Sequence, residues 1–461
     1  MKPAKPLDAS ALGQTLAWLR LLPRPRLFPL RDALREADGE SLKADAKAGL
    51  KVALLAFPMA LALATVAGLP AWCGLVATGA AAILAPLFSG TRFISAGPSH
   101  VTAVLLLGAF AVAGAASPES RLALLAPLLL LTGVFLLLAS WLRLGKIADF
   151  IPRAVVTGLL AAAAIRVALA LLPAALGIAI DLDASPLETL MRLVSAGRDL
   201  LNLDLLVALV ALAVHRLMRR THGDGTAVLA ALGVSAFFAM IGENVALSQG
   251  HAPRYGLFAY VSEGAHFPGV LPANLSAHAF SVLFSPALAL AALILVETAS
   301  ATRRAGGTVD VHQELVGLGV ANLACAAVGG LPASAPGPRA ALNQTAGARS
   351  GLASVTTGIL ILGATSLLTG ILAKIPLATL AALAIALEVD RLRRAPIGAG
   401  QSNGTADRAA GLITFLAALL APLDIALYLG AAVAVGFRLK GTAPGPEDPE
   451  SAAVRAEDWQ I

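Results

Sequence analysis

Charge is what this chain has least of. Asp, Glu, Lys and Arg make up 13% of its 461 residues, whereas a soluble globular protein has about a quarter. That shortfall excludes an ordinary water-soluble fold, and with 57% hydrophobic residues and a mean hydropathy of +0.79 it implies a polytopic membrane protein. Cysteine is scarce too. Cys73 and Cys325 are the only two, and both stand in apolar surroundings; a disulfide framework is excluded and each reads as a small core residue. Paired histidines at metal-ligand spacing, a nucleophile elbow and a phosphate-binding glycine loop are all missing, so no enzyme, metal site or cofactor is expected. The net charge of +6 is spread in small basic groups between apolar runs, which argues against nucleic acid as a partner and matches the positive-inside pattern of membrane proteins.

What is present is a succession of apolar runs. Residues 1–47 hold nine basic residues, including Lys2, Arg20, Arg35 and Lys47, and lack the apolar core of a signal peptide, so they read as a cytoplasmic leader. Spans are expected at 48–66, with Pro58 inside, at 71–88, 122–142, 151–172, 203–218 and 226–241. A polar connection at 242–279 divides the chain. The second half holds spans at 280–301, 314–328, 352–372, 376–387, 408–420 and 424–437, then a short cytoplasmic tail at 438–461. If the chain changes side at every segment, the basic groups at 143–153, 216–220, 303–304, 349, 391–394 and 438–440 fall on one side, the cytoplasm, and the acidic link at 181–188 on the other.

Two further segments are interrupted. Gly329 to Asn343 contains three prolines, three glycines and Arg339, and Ser95 to Thr102 contains Gly97 and Pro98. Proline lacks an N–H and glycine favours irregular backbone, so each stretch should be extended and then restart as a helix, at 101–113 and near 336–338. Irregular backbone at membrane depth survives only where protein or a water-filled cavity satisfies it, and a helix starting there turns free N–H groups and a positive dipole end into that cavity. One interruption per half points to inverted repeats, residues 48–241 and 280–437, enclosing a midplane site for an anion.

Ordered motifs then resemble a known family, the sulfate permease (SulP) anion transporters. They include Ala67-Gly68-Leu69-Pro70, Ser89-Gly90-Thr91-Arg92 leading to Ser95-Ala96-Gly97-Pro98, and Phe150-Ile151-Pro152-Arg153. In the second half they include Val296-Glu297-Thr298, Gln313-Glu314-Leu315, Gly329-Gly330-Leu331-Pro332 and Arg339-Ala340-Ala341-Leu342-Asn343. The resemblance implies an all-α polytopic membrane protein of about 14 transmembrane segments in a 7+7 inverted repeat. Core and gate domains, elevator-type alternating access and a homodimer come with it. It also implies small anions as substrates (sulfate, bicarbonate, chloride or a dicarboxylate), bound between two half-helix N-termini near Arg339. The chain departs from the pattern at Met59, where an amide is usual, at His100, where a small residue is usual, and at Ala335-Pro336-Gly337-Pro338, where a serine-rich run is usual. The C-terminal STAS domain of the family is expected to be lacking.

The candidate substrate-binding residues are Met59, Ser99, His100, Val101, Thr102, Pro338, Arg339 and Ala340, and the candidate coupling residues are Glu297 and His100, with H+ or Na+ as the coupling ion. Arg339 reads either as the anion's counter-charge or as a structural partner of Glu297, the one acid in its apolar span. His100 reads as a proton-sensitive ligand or as a hydrogen-bonded core residue. Arg166, inside the fifth span, reads as a functional cation or as a side chain reaching a neighbouring carbonyl. The reading is therefore a secondary transporter of small anions in a lipid bilayer, the inner membrane of a bacterium, with both termini cytoplasmic. A nucleobase transporter of the same fold and an uncoupled anion channel are the alternatives.

Overall fold

The computed structural model of the protein describes residues 28–145, 151–178, 186–197, 202–222, 224–248, 277–304, 310–367, 375–394 and 405–439. Most of the expected leader, of the connection between the halves and of the tail lies outside the described residues. The protein is an all-α polytopic membrane protein, with no β-strand among the described residues. The first half contains α1 (Leu30–Glu36), α2 (Gly39–Val66), α3 (Ala71–Phe88), α4 (His100–Val112), α5 (Pro118–Trp141), α6 (Arg153–Ala175), α7 (Pro186–Ala196), α8 (Leu203–His222) and α9 (Asp224–Ser248). The second contains α10 (Ala277–Arg304), α11 (Val311–Val328), α12 (Gly337–Thr345), α13 (Leu352–Leu367), α14 (Leu377–Arg394), α15 (Thr405–Leu420) and α16 (Leu423–Leu439). Among the described residues, with α1 and α7 set aside, seven helices precede residue 249 and seven follow residue 276.

Local chemistry sets the ends of these helices. Asp38 accepts from the Ser41 N–H at 2.7 Å while Ser41 accepts from the Asp38 N–H at 2.9 Å, so α2 starts at Gly39 rather than at the apolar run from residue 48. Ser99 and Ser117 make the same reciprocal cap on α4 and α5. Gly329, at φ 69°, ends α11 in the left-handed conformation that lets the chain turn into the second interrupted stretch. Two further differences from the sequence reading matter. α14 continues seven residues beyond the expected end at 387, so the basic group 391–394 is helical rather than a loop. The acidic link contains a helix, α7, whose Leu187, Leu190, Met191 and Val194 form one exposed apolar face.

The helices pack in two groups. In one, α11 lies along α5 and α3, α13 along α3 and α2, and α10 along α5. In the other, α6 packs on α14 and α15, α8 on α9 and α14, and α15 on α16. The half-helix α4 touches both groups, through α10 and α6. Small residues allow the approach: a Cβ at Gly411 would stand 2.6 Å from the Ala154 carbonyl, so α15 and α6 meet backbone to backbone. Cys73 and Cys325 are free and buried.

Buried carboxylates hold the turns. Glu314 accepts from the N–H groups of Gly90 at 2.8 Å and Thr91 at 2.9 Å and from both neighbouring hydroxyls, Ser89 and Thr91. Asp45 does the same for Arg349 and Ser350 ahead of α13, with Arg349 N–H at 2.6 Å and the Ser350 hydroxyl at 2.6 Å. Turn N–H groups have no partner in a helix ladder, and a carboxylate satisfies several at once. Arg166 donates to the carbonyls of Ala418 at 3.2 Å and Ala421 at 2.8 Å, closing the end of α15. Of its two readings, the carbonyl contact is the one observed.

Candidate functional site between two half-helices

The two interrupted stretches cross each other. Gly97 N–H donates to the Ser334 carbonyl at 3.0 Å and Ser334 N–H donates back to Gly97 at 2.9 Å, an isolated antiparallel bridge. Asn322 of α11 fixes the second stretch from behind, its amide donating to the Ala333 carbonyl at 2.8 Å and accepting from the Ala333 N–H at 3.0 Å. A side-chain amide thus replaces the strand partner that an extended segment in a helical protein lacks. Because the bridge is antiparallel, the chain leaves it in opposite directions, and α4 and α12 diverge from a common point. With 13 and 9 residues they measure roughly 20 and 13 Å, together about the thickness of the hydrocarbon core. Neither spans it alone.

The two N-termini make unequal contributions. At α4, Ser99 and Thr102 satisfy each other, and the N–H groups of His100 and Val101 carry no hydrogen bond among the described residues. At α12, Pro336 and Pro338 have no N–H, and the N–H groups of Arg339 and Ala340 both point to the Pro336 carbonyl, at 3.0 and 3.4 Å. The donors expected after Pro338 are therefore largely spent inside the turn. α4 presents backbone donors and α12 presents a formal charge.

That charge is Arg339. Its guanidinium lies against Gly97, where a Cβ would collide with Nη1, and Nη1 is buried without a hydrogen-bond partner. Glu297, 6% exposed on α10, lies across from it and accepts from the Ser99 hydroxyl at 3.3 Å. No ion pair within 4 Å joins Arg339 to Glu297, although each charge acts on the other. The reading of Arg339 as a cation paired directly with Glu297 is thus not what the structure shows.

The remaining candidates fall around this point. Thr102 and Val101 are fully buried, and the Thr102 hydroxyl reaches the Pro332 carbonyl at 3.5 Å. Met59, 7% exposed, belongs to the apolar core that also includes Val101 and Ala335. Pro338 is exposed and Ala340 partly exposed, so of the α12 candidates Arg339 is the one directed inward to Gly97. His100 is buried, its Nδ1 2.6 Å from Arg391 Nη1 and its Nε2 without a hydrogen bond.

Arg391 and its partner Glu388 were not among the sequence candidates. The segment Val389-Asp390-Arg391-Leu392-Arg393-Arg394 resembles a basic loop, whereas the helix continues through it and turns Glu388 inward. Helical spacing carried the signal: Ala381 and Ala384, both fully buried, precede Glu388 at one-turn intervals.

Known proteins are similar to this chain in sequence and in fold. A probable sulfate transporter of Mycobacterium tuberculosis (strain CDC 1551 / Oshkosh) is 30% identical over 363 residues, which cover 76% of this chain and 62% of the relative. The bicarbonate transporter BicA of Picosynechococcus sp. is 28% identical over 374 residues, covering 76% of this chain and 62% of the relative. The chain thus spans about three fifths of the length of these curated relatives. Among solved structures, the transmembrane domain of a cyanobacterium bicarbonate transporter BicA superposes with a TM-score of 0.69 at 22% identity, covering 87% of this chain and 99% of that one. SLC26A9 superposes with a TM-score of 0.76 at 18% identity, covering 95% of this chain and 70% of that one. These two likenesses concern the fold. The sequence motifs are matched more directly: the model of the sulfate permease family fits residues 42–396, and the chain belongs to that family.

Proposed function

We propose that this protein is a secondary active transporter of small anions, with sulfate, bicarbonate, chloride and dicarboxylates as the class from which its substrate comes. One observation carries the reading: two diverging half-helices bring free N–H groups at His100 and Val101 and the unpartnered Nη1 of Arg339 to one buried point. A helix N-terminus attracts an anion through its free N–H groups and dipole, and a guanidinium in the same cavity supplies the formal charge. Membership of a family whose relatives bear the names of sulfate and bicarbonate transporters supports it. In this reading the group built on α2, α3, α5, α10, α11 and α13 is the core and the group built on α6, α8, α9, α14, α15 and α16 is the gate. One slides past the other to expose the site to either side. Residues 48–241 and 280–437 are the inverted repeats. Glu297 and His100 link transport to a proton or sodium ion. The protein works as a homodimer in a bacterial inner membrane, its termini in the cytoplasm.

The test is uptake into proteoliposomes of radiolabelled sulfate, bicarbonate, chloride, a dicarboxylate and uracil under imposed proton and sodium gradients, for wild type and Arg339→Ala. Saturable anion uptake that falls about tenfold or more in the variant is expected, since a charge-assisted contact contributes about 1.5–3 kcal/mol. Uracil uptake in place of anion uptake, or anion uptake indifferent to Arg339, overturns the reading.

A further inference from the structure

Arg339 and Glu297 do not exhaust the charge at this site. Glu388 of α14 is fully buried, and both of its carboxylate oxygens accept from Arg391 Nη1 at 2.9 Å. The same Nη1 stands 2.6 Å from His100 Nδ1. A guanidinium only donates, so Nδ1 accepts and the ring proton sits on Nε2, which is buried without a hydrogen-bond partner. The Arg391 charge acts on Arg339 and on Glu297 as well. Charged or titratable side chains from four helices, α4, α10, α12 and α14, therefore converge.

All three contacts of Arg391 use Nη1. Among the described residues its Nε and Nη2 make no hydrogen bond, and its side chain is 28% exposed where that of Glu388 is 0%. The next residue back, Asp390, pairs with Arg219 of α8, which fixes this turn of α14 from the other side. A buried carboxylate and an imidazole thus hold one corner of the fork and leave its Nε/Nη2 edge unpaired. That edge carries two parallel donors, one of the two sides by which arginine grips two oxygens at once.

We propose that Arg391 is a second anion-recognising and specificity-determining side chain, positioned by Glu388 and His100, whose Nε/Nη2 edge selects anions with two adjacent oxygens over a halide. The inference rests on the anion reading above and narrows it to oxyanions and carboxylates. An anion gripped by Arg391 from α14 and by Arg339 from α12 also joins those two helices.

The experiment measures KM and maximal rate of sulfate and oxalate uptake, and inhibition by chloride, in proteoliposomes of wild type, Arg391→Lys, Arg391→Ala, Glu388→Gln and Arg339→Ala. Both Arg391 variants should raise KM for the oxyanions about tenfold, with chloride inhibition constants unchanged, so that oxyanion preference collapses. Lysine keeps the charge without the fork, and this variant guards against misfolding of the alanine form. Glu388→Gln should move KM in the same direction. If Arg391 only clamps α4 to α14, maximal rate or thermal stability falls while KM and the oxyanion-to-chloride ratio stay at wild type, and the inference is overturned. That outcome alongside loss of uptake in Arg339→Ala leaves the anion reading standing; absence of anion uptake in wild type removes both.

Discussion

Gly97 and Ser334 exchange two backbone hydrogen bonds, and three residues beyond each of them a half-helix begins, α4 at His100 and α12 at Gly337. The equal spacing on two oppositely directed chains fits the inverted repeat proposed above. It also explains the glycine. The Arg339 guanidinium fills the place where a side chain at 97 would be.

Gly97→Ala should therefore act on Arg339 rather than on the bridge. Overpacking of this kind costs about 1–3 kcal/mol, so the variant should fold with a lowered thermal midpoint in detergent while anion uptake falls to the level of Arg339→Ala. Uptake at the wild-type rate would show that the guanidinium can move aside without consequence.

Asn322 tests the backing of the extended stretch. Asn322→Ala leaves the buried N–H and carbonyl of Ala333 without partners, which costs roughly 1–3 kcal/mol for an unsatisfied group. Hydrogen exchange at 331–335 should accelerate along with a fall in thermal midpoint. Unchanged protection there would mean that the bridge to Gly97 suffices.

Glu297→Gln keeps an acceptor for the Ser99 hydroxyl and removes the charge. Under the proposed coupling, uptake in this variant should persist but lose its response to an imposed proton or sodium gradient. A response identical to wild type sinks the assignment of Glu297, and the same comparison with His100→Ala decides the part of the histidine.

Asp38 provides a pH test outside the membrane spans. The Ser41 N–H, and then its hydroxyl, hold the Asp38 carboxyl below its ordinary value. A carboxyl whose folded value is depressed stabilises the fold above the unfolded value, about 4, and that stabilisation is lost as pH falls through the depressed folded value. Exchange protection over the first turn of α2 should drop below about pH 4 in wild type. Asp38→Asn should remove this pH dependence.

Sequence patterns located most helices well. Long apolar runs show where a helix must be buried in lipid, so residues 71–88 were legible to the residue as α3. Ends set by polar caps were less so: the Asp38–Ser41 box extends α2 upstream of any hydropathic signal. α7 was missed because Asp181, Asp183 and Glu188 mark its link as polar, although Leu187, Leu190, Met191 and Val194 recur at helical spacing.

The chain's own residues determined that it crosses a membrane repeatedly, that two of its segments are broken by proline and glycine, and that Arg339, Glu297 and His100 stand in or beside apolar segments. Each follows from local chemistry: apolar runs must leave water, proline cannot complete a helix, and an ionisable group in such a run requires partners. Who those partners are was decided only in three dimensions. Ser99 meets Glu297 across 198 positions and His100 meets Arg391 across 291. No pattern along the chain encodes such a distance. The packing of two helix groups around one bridge brings these side chains within hydrogen-bond reach, and a stretch that looked like a basic loop proves to be a helix meeting His100.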